Sequence, residues 1–166
     1  MKILVFSDSH MSASNMRRAL ELHRGSFDLC LHLGDGVREF KLLGEGYPGI
    51  QFLAIAGNFE DCFTSRCMSE TVLELEGRRI MLTHGHKYHV KSTQEYLVCA
   101  AREKNCDAVL FGHTHKSCCR YINDGNQKPL YLFNPGSISL PRDDVPTYGI
   151  LDIKKNGILP SVARLQ

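Results

Sequence analysis

The sequence predicts an α/β fold, a sandwich of two β-sheets, and two observations carry that prediction. Short β-branched runs alternate with helical spacing over the first third of the chain, the βαβ signature of parallel strands. From Thr71 onward hairpin signals take over, so a second group of strands is expected there. No linker, repeat or low-complexity tract interrupts the 166 residues, and with about 150 residues usual for a domain, 1–166 is expected to be a single one.

Taken in order, Lys2–Phe6 is a short apolar run of strand length. Met16, Ala19, Leu20 and His23 then recur at helical spacing, with Ser14 as the expected N-cap and Gly25 as the stop. Phe27–Leu33 and Gln51–Ala56 read as the next strands, with room for a short helix between them. Thr71–Leu75 and Arg79–Thr83 flank Glu76-Gly77, a hairpin turn. Lys91–Lys104 is expected to be one helix, with Tyr96, Leu97, Ala100 and Ala101 on one side, and Asp107–Phe111 the strand after it. The remainder is β-rich and punctuated by Asp124-Gly125 and Asn156-Gly157, strong short hairpin signals.

Composition narrows the function classes. Apolar residues at 43% and charged residues at 23% are ordinary globular usage, which excludes a disordered or fibrous chain. Twenty Lys+Arg against eighteen Asp+Glu, interspersed, give +2. A protein that lives on long nucleic acid or on anionic membrane shows a clustered positive excess instead. The apolar run after Lys2 ends at Ser7 after four residues, too short for a signal core of roughly 7–15. Seven cysteines, at 30, 62, 67, 99, 106, 118 and 119, follow no disulfide framework and contain no CxxC. Reduced thiols in a cytoplasmic protein are the expected state, and Cys118-Cys119 is read as two thiols beside a strand.

The residues at the strand ends are more informative. Phe6 runs into Ser7-Asp8-Ser9-His10, Leu33 into Gly34-Asp35, and Ala56 into Gly57-Asn58. Leu82 runs into Thr83-His84-Gly85-His86, and Phe111 into Gly112-His113-Thr114-His115. Loops at strand ends project beyond the hydrogen-bonded layer, which is where sites assemble in α/β sheets. Any one of these pairs alone is an ordinary solvated turn. Seven oxygen and nitrogen donors on five strand ends point to one shared site.

Imidazoles and carboxylates without thiolates suit Mn, Fe, Zn or Ni, and Asp8, His10, Asp35, Asn58, His84, His113 and His115 exceed the four ligands of one zinc. Two adjacent ions sharing a carboxylate are the economical arrangement. Two divalent ions (+4), two carboxylates (−2) and a bridging hydroxide (−1) leave +1, a match for an anionic phosphate ester. Such a pair generates the hydroxide and clamps the attacking and leaving oxygens in an in-line displacement.

Together these motifs, in this order, resemble the calcineurin-like metallophosphoesterases. Asn134-Pro135-Gly136-Ser137 leading to Pro141-Arg142, with the small size, is most similar to the compact bacterial and archaeal phosphodiesterase branch. The likeness spans nearly the whole chain. It implies a four-layer α/β/β/α sandwich of two mixed sheets with the metals at the strand ends. It also implies that Asp8, His10, Asp35 and His115 hold one ion and Asp35, Asn58, His84 and His113 the other, with Asp35 bridging. Two divalent ions, manganese first and Fe, Zn, Ni or Mg as alternatives, are the implied cofactors. The sequence departs from the family pattern after Asn58: Phe59 stands where many members carry a histidine that protonates the leaving group, followed by Glu60 at a usually acidic position. His86 is the candidate replacement in catalysis and substrate binding, with Asn58 as a catalytic residue, Arg142 as a substrate contact, and Lys87 as a further phosphate contact. His89 is expected to face solvent, and His23 and His32 to serve packing.

The leading functional expectation is a metal-dependent phosphodiesterase acting on a small phosphate ester. The alternative is a catalytically weak interaction scaffold of the same fold, like the retromer subunit. A nuclease ranks below both, because nucleases of this fold generally carry extra domains and the charge balance offers no groove for a long polyanion. A homo-oligomer stays open.

Overall fold

The computed structural model describes residues 1–61 and 68–165. Its elements run β1 (Lys2–Phe6), α1 (Ser14–Leu22), β2 (Leu29–His32), α2 (Val37–Gly44), β3 (Gln51–Ala54), α3 (Asn58–Asp61), β4 (Glu70–Leu75) and β5 (Arg78–Thr83). A 3-10 turn at His86–Tyr88 and α4 (Glu95–Glu103) come next. Then come β6 (Ala108–Leu110), β7 (Ser117–Ile122), β8 (Leu130–Pro135), β9 (Thr147–Lys154) and β10 (Gly157–Arg164). Two five-stranded sheets result, ordered β10-β9-β1-β2-β3 and β4-β5-β6-β8-β7. Both are mixed. β1, β2 and β3 are mutually parallel, as are β5, β6 and β8, while β9, β10, β4 and β7 run antiparallel to their neighbours.

Alternation along β1 shows how the layers are made. Ile3 and Val5 point into an apolar layer between the sheets with Leu31, Ile80, Leu110, Phe133 and Leu151. Leu4 and Phe6 point the other way, onto Met16 and Leu20 of α1 and Phe40 of α2. On the second sheet, Met81 and Val109 pack outward against Leu97 and Ala101 of α4. Strands covered on both faces need continuous apolar runs, which is why β1 and β6 contain no polar residue beyond Lys2. The order is helix, sheet, sheet, helix, the four-layer sandwich that the resemblance implies.

Several boundaries differ from expectation. Ser14 does not cap α1: it is the first helical residue, Ala13 occupies the cap position, and no side chain bonds the free N–H groups. The helix expected from Lys91 begins at Glu95, because His89 adopts φ 52° and its carbonyl accepts from the Ser92 and Thr93 N–H groups in a separate turn. The strand expected at 27–33 is shortened to 29–32 and that at 51–56 to 51–54, since their ends bend into the loops that carry the polar residues. The Glu76-Gly77 hairpin forms as expected, both residues taking positive φ (50° and 74°) as a two-residue type I′ turn requires, whereas the turn expected at Asn156-Gly157 falls one residue earlier. Lys155-Asn156 joins β9 to β10 with Gly157 paired to Lys154.

Among the described residues Cys30, Cys99, Cys106, Cys118 and Cys119 are free thiols; Cys62 and Cys67 lie outside them. No helix among the described residues is long and apolar enough to cross a membrane.

Asp107 ties the start of β6 to the rest of the second sheet. Burial alone would raise its carboxyl, but the Arg79 N–H (2.8 Å), Lys128 Nζ (3.0 Å) and Arg78 Nη1 (3.3 Å) outweigh this and hold it below the usual range. A carboxylate with a depressed folded-state pKa stabilises above its unfolded value, 3.8, and loses that stability as pH falls through the lower folded value. Asp107→Asn is therefore expected to be less stable than the parent by roughly 1–2 kcal/mol near neutrality, the gap closing below pH 3.8, in denaturant titrations across pH.

Candidate metal centre

Five loops converge at one end of the two sheets. Asp8 and His10 follow β1, Asp35 follows β2, Asn58 opens α3 after β3, His84 follows β5, and His113 and His115 follow β6. All seven come together. His10 Nε2 and His115 Nε2 are 3.2 Å apart, and His115 Nε2 is 3.2 Å from Asp8 Oδ1. His84 Nε2 lies 3.5 Å from Asp35 Oδ2, 3.2 Å from Asn58 Oδ1, 3.2 Å from His113 Nδ1 and 3.9 Å from Asp8 Oδ1.

These ligand-type atoms form two close sets, Asp8–His10–His115 and Asp8–Asp35–His84, each within 4.8 Å. The carboxylate common to both is Asp8, whereas the resemblance assigns the bridge to Asp35. The donor chemistry fits divalent cations on an internal criterion. Asp8 is buried, and its Oδ1 finds no hydrogen-bond geometry with any neighbour, while Oδ2 accepts from Ser7 Oγ (2.6 Å) and the His113 N–H (3.1 Å). A buried carboxylate oxygen left without a donor demands a cation.

Two imidazoles are oriented from behind. A carbonyl only accepts, so His84 Nδ1–H donates to Leu33 O (2.6 Å) and His115 Nδ1–H to Leu140 O (2.7 Å). In the neutral ring each Nε2 then presents a lone pair to the centre, as a metal-ligating histidine requires.

Charge in this cluster is strongly coupled. Burial would raise Asp8, but His115, His84 and Ser7 outweigh it and lower its pKa. Burial likewise opposes Asp35, yet His84 and the Phe59 N–H bring it down to about 2. His115 is raised, chiefly by the Asp8 carboxylate 3.2 Å from its Nε2; His84 is raised because Asp35 and Asp8 overcome its burial. Desolvation, with the neighbouring His84, pushes His113 down to about 4.

The loops pay in backbone strain. Asp8, His10, Asp35, His113 and His115 all adopt positive φ, between 44° and 67°. Such residues are uncommon and concentrate where a site over-determines the backbone. Glycines let the loops meet: a Cβ at Gly34 would fall 2.5 Å from Gly57 N and 2.8 Å from His84 Nδ1, and one at Gly57 would collide with Asp35 Oδ1.

Three supports hold the site through partners that the sequence does not reveal. Glu60 accepts from four backbone N–H groups, those of Asp35 (2.8 Å), Gly36 (2.7 Å), Val37 (3.0 Å) and Gly57 (2.9 Å), so one carboxylate joins the Asp35 loop to the Asn58 loop. Its acidic position was visible in the sequence; its partners were not. His32, buried, accepts the Gly34 N–H at Nδ1 and so donates from Nε2 to Ser9 Oγ, which donates to Glu39 Oε1 (2.8 Å). Burial brings His32 down to about 4, keeping it neutral for this relay, a more specific task than packing. The Asn-Pro-Gly-Ser loop is the third: Ser137 Oγ donates to Asp8 O and Ser139 Oγ to Ser9 O. Glu60→Gln, which can accept through one oxygen only, is expected to destabilise the fold by about 2 kcal/mol in chemical denaturation, with metal-site geometry loosened as well.

The remaining sequence candidates divide. His86 opens the 3-10 turn with its ring 5.5 Å from His84 and 6.0 Å from His113, beside the second set. Arg142 donates its N–H to His115 O (2.9 Å). Lys87 Nζ donates to Ser69 Oγ (2.8 Å). His89 is exposed, as expected, and His23 bonds the Tyr148 hydroxyl. Phe59 is 41% exposed, its ring edge-on to His10 at 6.4 Å between centroids.

Residues 1–156 match the family model of the calcineurin-like phosphoesterase superfamily domain. The chain belongs to this family. A phosphodiesterase of Methanocaldococcus jannaschii is 26% identical over 93% of this chain and 95% of its own length. Among solved structures, a conserved protein of Streptococcus pneumoniae described as a predicted phosphoesterase superposes with a TM-score of 0.79 at 26% identity, covering 98% of this chain and 88% of that one. Vacuolar protein sorting 29 of Cryptosporidium parvum shares the calcineurin-like fold, with a TM-score of 0.75 at 18% identity over 99% and 91% of the chains.

Proposed function

We propose that this calcineurin-like phosphoesterase hydrolyses small phosphodiesters with two divalent cations, manganese first among them, held by Asp8, His10, Asp35, Asn58, His84, His113 and His115. The observation that carries this reading is the convergence of all seven donors around the orphaned, buried Asp8 Oδ1. Two cations supply Lewis acidity at the phosphoryl oxygens and bring the pKa of water toward neutrality. The chain's own residues do the rest. Leu33 O and Leu140 O hold the His84 and His115 rings, Asn58 aligns its amide oxygen with His84, and His86 stands where a substrate oxygen can be bonded or protonated. Arg142 supplies positive charge beside His115. A monoanionic diester suits the small positive excess of such a site better than a dianionic monoester. The Methanocaldococcus jannaschii phosphodiesterase, alike over nearly its whole length, supports the same substrate class.

A second reading, an interaction scaffold, is favoured by Phe59, which cannot donate a proton, in a fold shared with a vacuolar sorting protein. Turnover of bis(p-nitrophenyl) phosphate separates the two. Hydrolysis that a chelator abolishes and manganese restores supports the enzyme. Folded protein that stays inert with Mn, Fe, Zn, Ni and Mg supports the scaffold.

A further inference from the structure

Three cationic side chains, Lys116, Arg142 and Arg164, line one cavity of about 430 Å³, within the range of small-molecule sites. Several basic residues elsewhere are engaged, with Arg78, Arg79, Arg102 and Lys128 in ion pairs, but what sets these three apart is that they share one cavity. Among the described residues no ion pair or side-chain hydrogen bond engages these three. Two carboxylates share the lining, Asp143 and Asp144, so cations outnumber them three to two. Asp143 is already committed, since its Oδ2 accepts the Ser117 N–H at 2.7 Å. Thr147 also lines the cavity, and its hydroxyl is buried without a hydrogen-bond partner. The lining therefore keeps a net positive charge of one, and a buried hydroxyl left unsatisfied is rare.

The cavity also has an address. Lys116 directly follows His115, and Arg142 bonds the His115 carbonyl through its own N–H. One wall of the cavity is therefore the segment that presents a candidate metal ligand. Guanidinium forks and an ammonium are the groups that recognise phosphate and carboxylate.

We propose that this cavity is a second anion subsite, which takes a phosphate or comparable anionic group of the substrate remote from the scissile diester. The inference rests on the phosphodiesterase reading for its substrate role, while the anion site itself does not. It makes the substrate a phosphodiester that carries a further anionic group, a narrower class than small diesters at large.

The test has two arms. In the first, metal-free protein is titrated with tripolyphosphate by calorimetry. Binding is expected, weakened about tenfold or more in Arg164→Gln and little changed in Arg18→Gln, which removes the same charge from an exposed position on α1. Arg164 is exposed at the end of β10, so its replacement leaves the core intact. In the second arm, manganese-loaded protein hydrolyses the p-nitrophenyl ester of thymidine 5′-phosphate and the same ester bearing a 3′-phosphate. The expected kcat/KM ratio favours the 3′-phosphorylated ester by about tenfold and falls toward one in Arg164→Gln. No binding in the first arm, or equal weakening by Arg18→Gln, overturns the subsite. Binding with a parental ratio of one overturns its substrate role. Binding without turnover of either ester sinks the phosphodiesterase reading and leaves the anion site standing.

Discussion

On the two-cation reading proposed above, Asp8→Asn is expected to release both ions together, and Asp35→Asn to release one well before the other. This asymmetry comes from the two close sets, which share Asp8 and only Asp8. Converting its carboxylate to an amide removes the negative charge that both sets use, and metal affinity is expected to fall by at least about 100-fold at each. The backbone survives the change, because asparagine tolerates the left-handed φ of 54° that position 8 adopts, and its amide oxygen can still accept from Ser7 and His113. Elemental analysis after dialysis against graded manganese, alongside turnover, checks the expectation. Should Asp35→Asn strip both ions while Asp8→Asn keeps one, the bridge belongs to Asp35, as the family resemblance implies.

Phe59→His is expected to raise hydrolysis of diesters with alkyl leaving groups about 100-fold and to change p-nitrophenyl esters far less. A departing alkoxide needs a proton, and a positioned acid contributes roughly 10²–10⁴-fold, whereas a phenolate leaves without one. The geometry suits the replacement. Phe59 follows Asn58 directly, its N–H bonds Asp35 Oδ1, and its half-exposed ring lies beside His10. An imidazole there would face the same opening. The measurement is the slope of log kcat against leaving-group pKa, which should flatten in the variant. If the slope is unchanged with metals bound, the proton comes from another group such as His86, and Phe59 only packs.

Much of this architecture is legible in the sequence. The five polar strand ends are readable because a parallel strand buried on both faces must be apolar until it emerges, so the first Asp, His or Asn marks the exit. Boundaries are less so. Ser14 resembles a cap in sequence, but whether a hydroxyl caps a helix depends on the φ and ψ of its own residue, and here Ala13 holds that place. The candidate ligands are visible as residue types; their supports are not. Nothing about Glu39 distinguishes it from a solvated helix glutamate until Ser9 and the Met11 N–H are seen to converge on it. The shared role of Asp8 is hidden for the same reason, since it is set by contacts from loops far along the chain, such as the His113 N–H 105 residues away.

The left-handed residues around the centre have a consequence for how this fold could change. Met11 shares their conformation, at φ 68°, yet its side chain is 71% exposed and contributes no donor atom. It carries the conformational burden of the loop without any of its chemistry. Glycine at that position would relieve the burden, and the Met11→Gly protein should unfold at higher denaturant, by about 1 kcal/mol net of the extra chain entropy, with its metal content intact. The candidate ligand positions have no such escape, because each offers its donor atom only through the side chain that makes its φ unfavourable. Selection for robustness therefore has slack at residue 11 and none at its neighbours, and drift toward a metal-free scaffold would start by letting those neighbours relax.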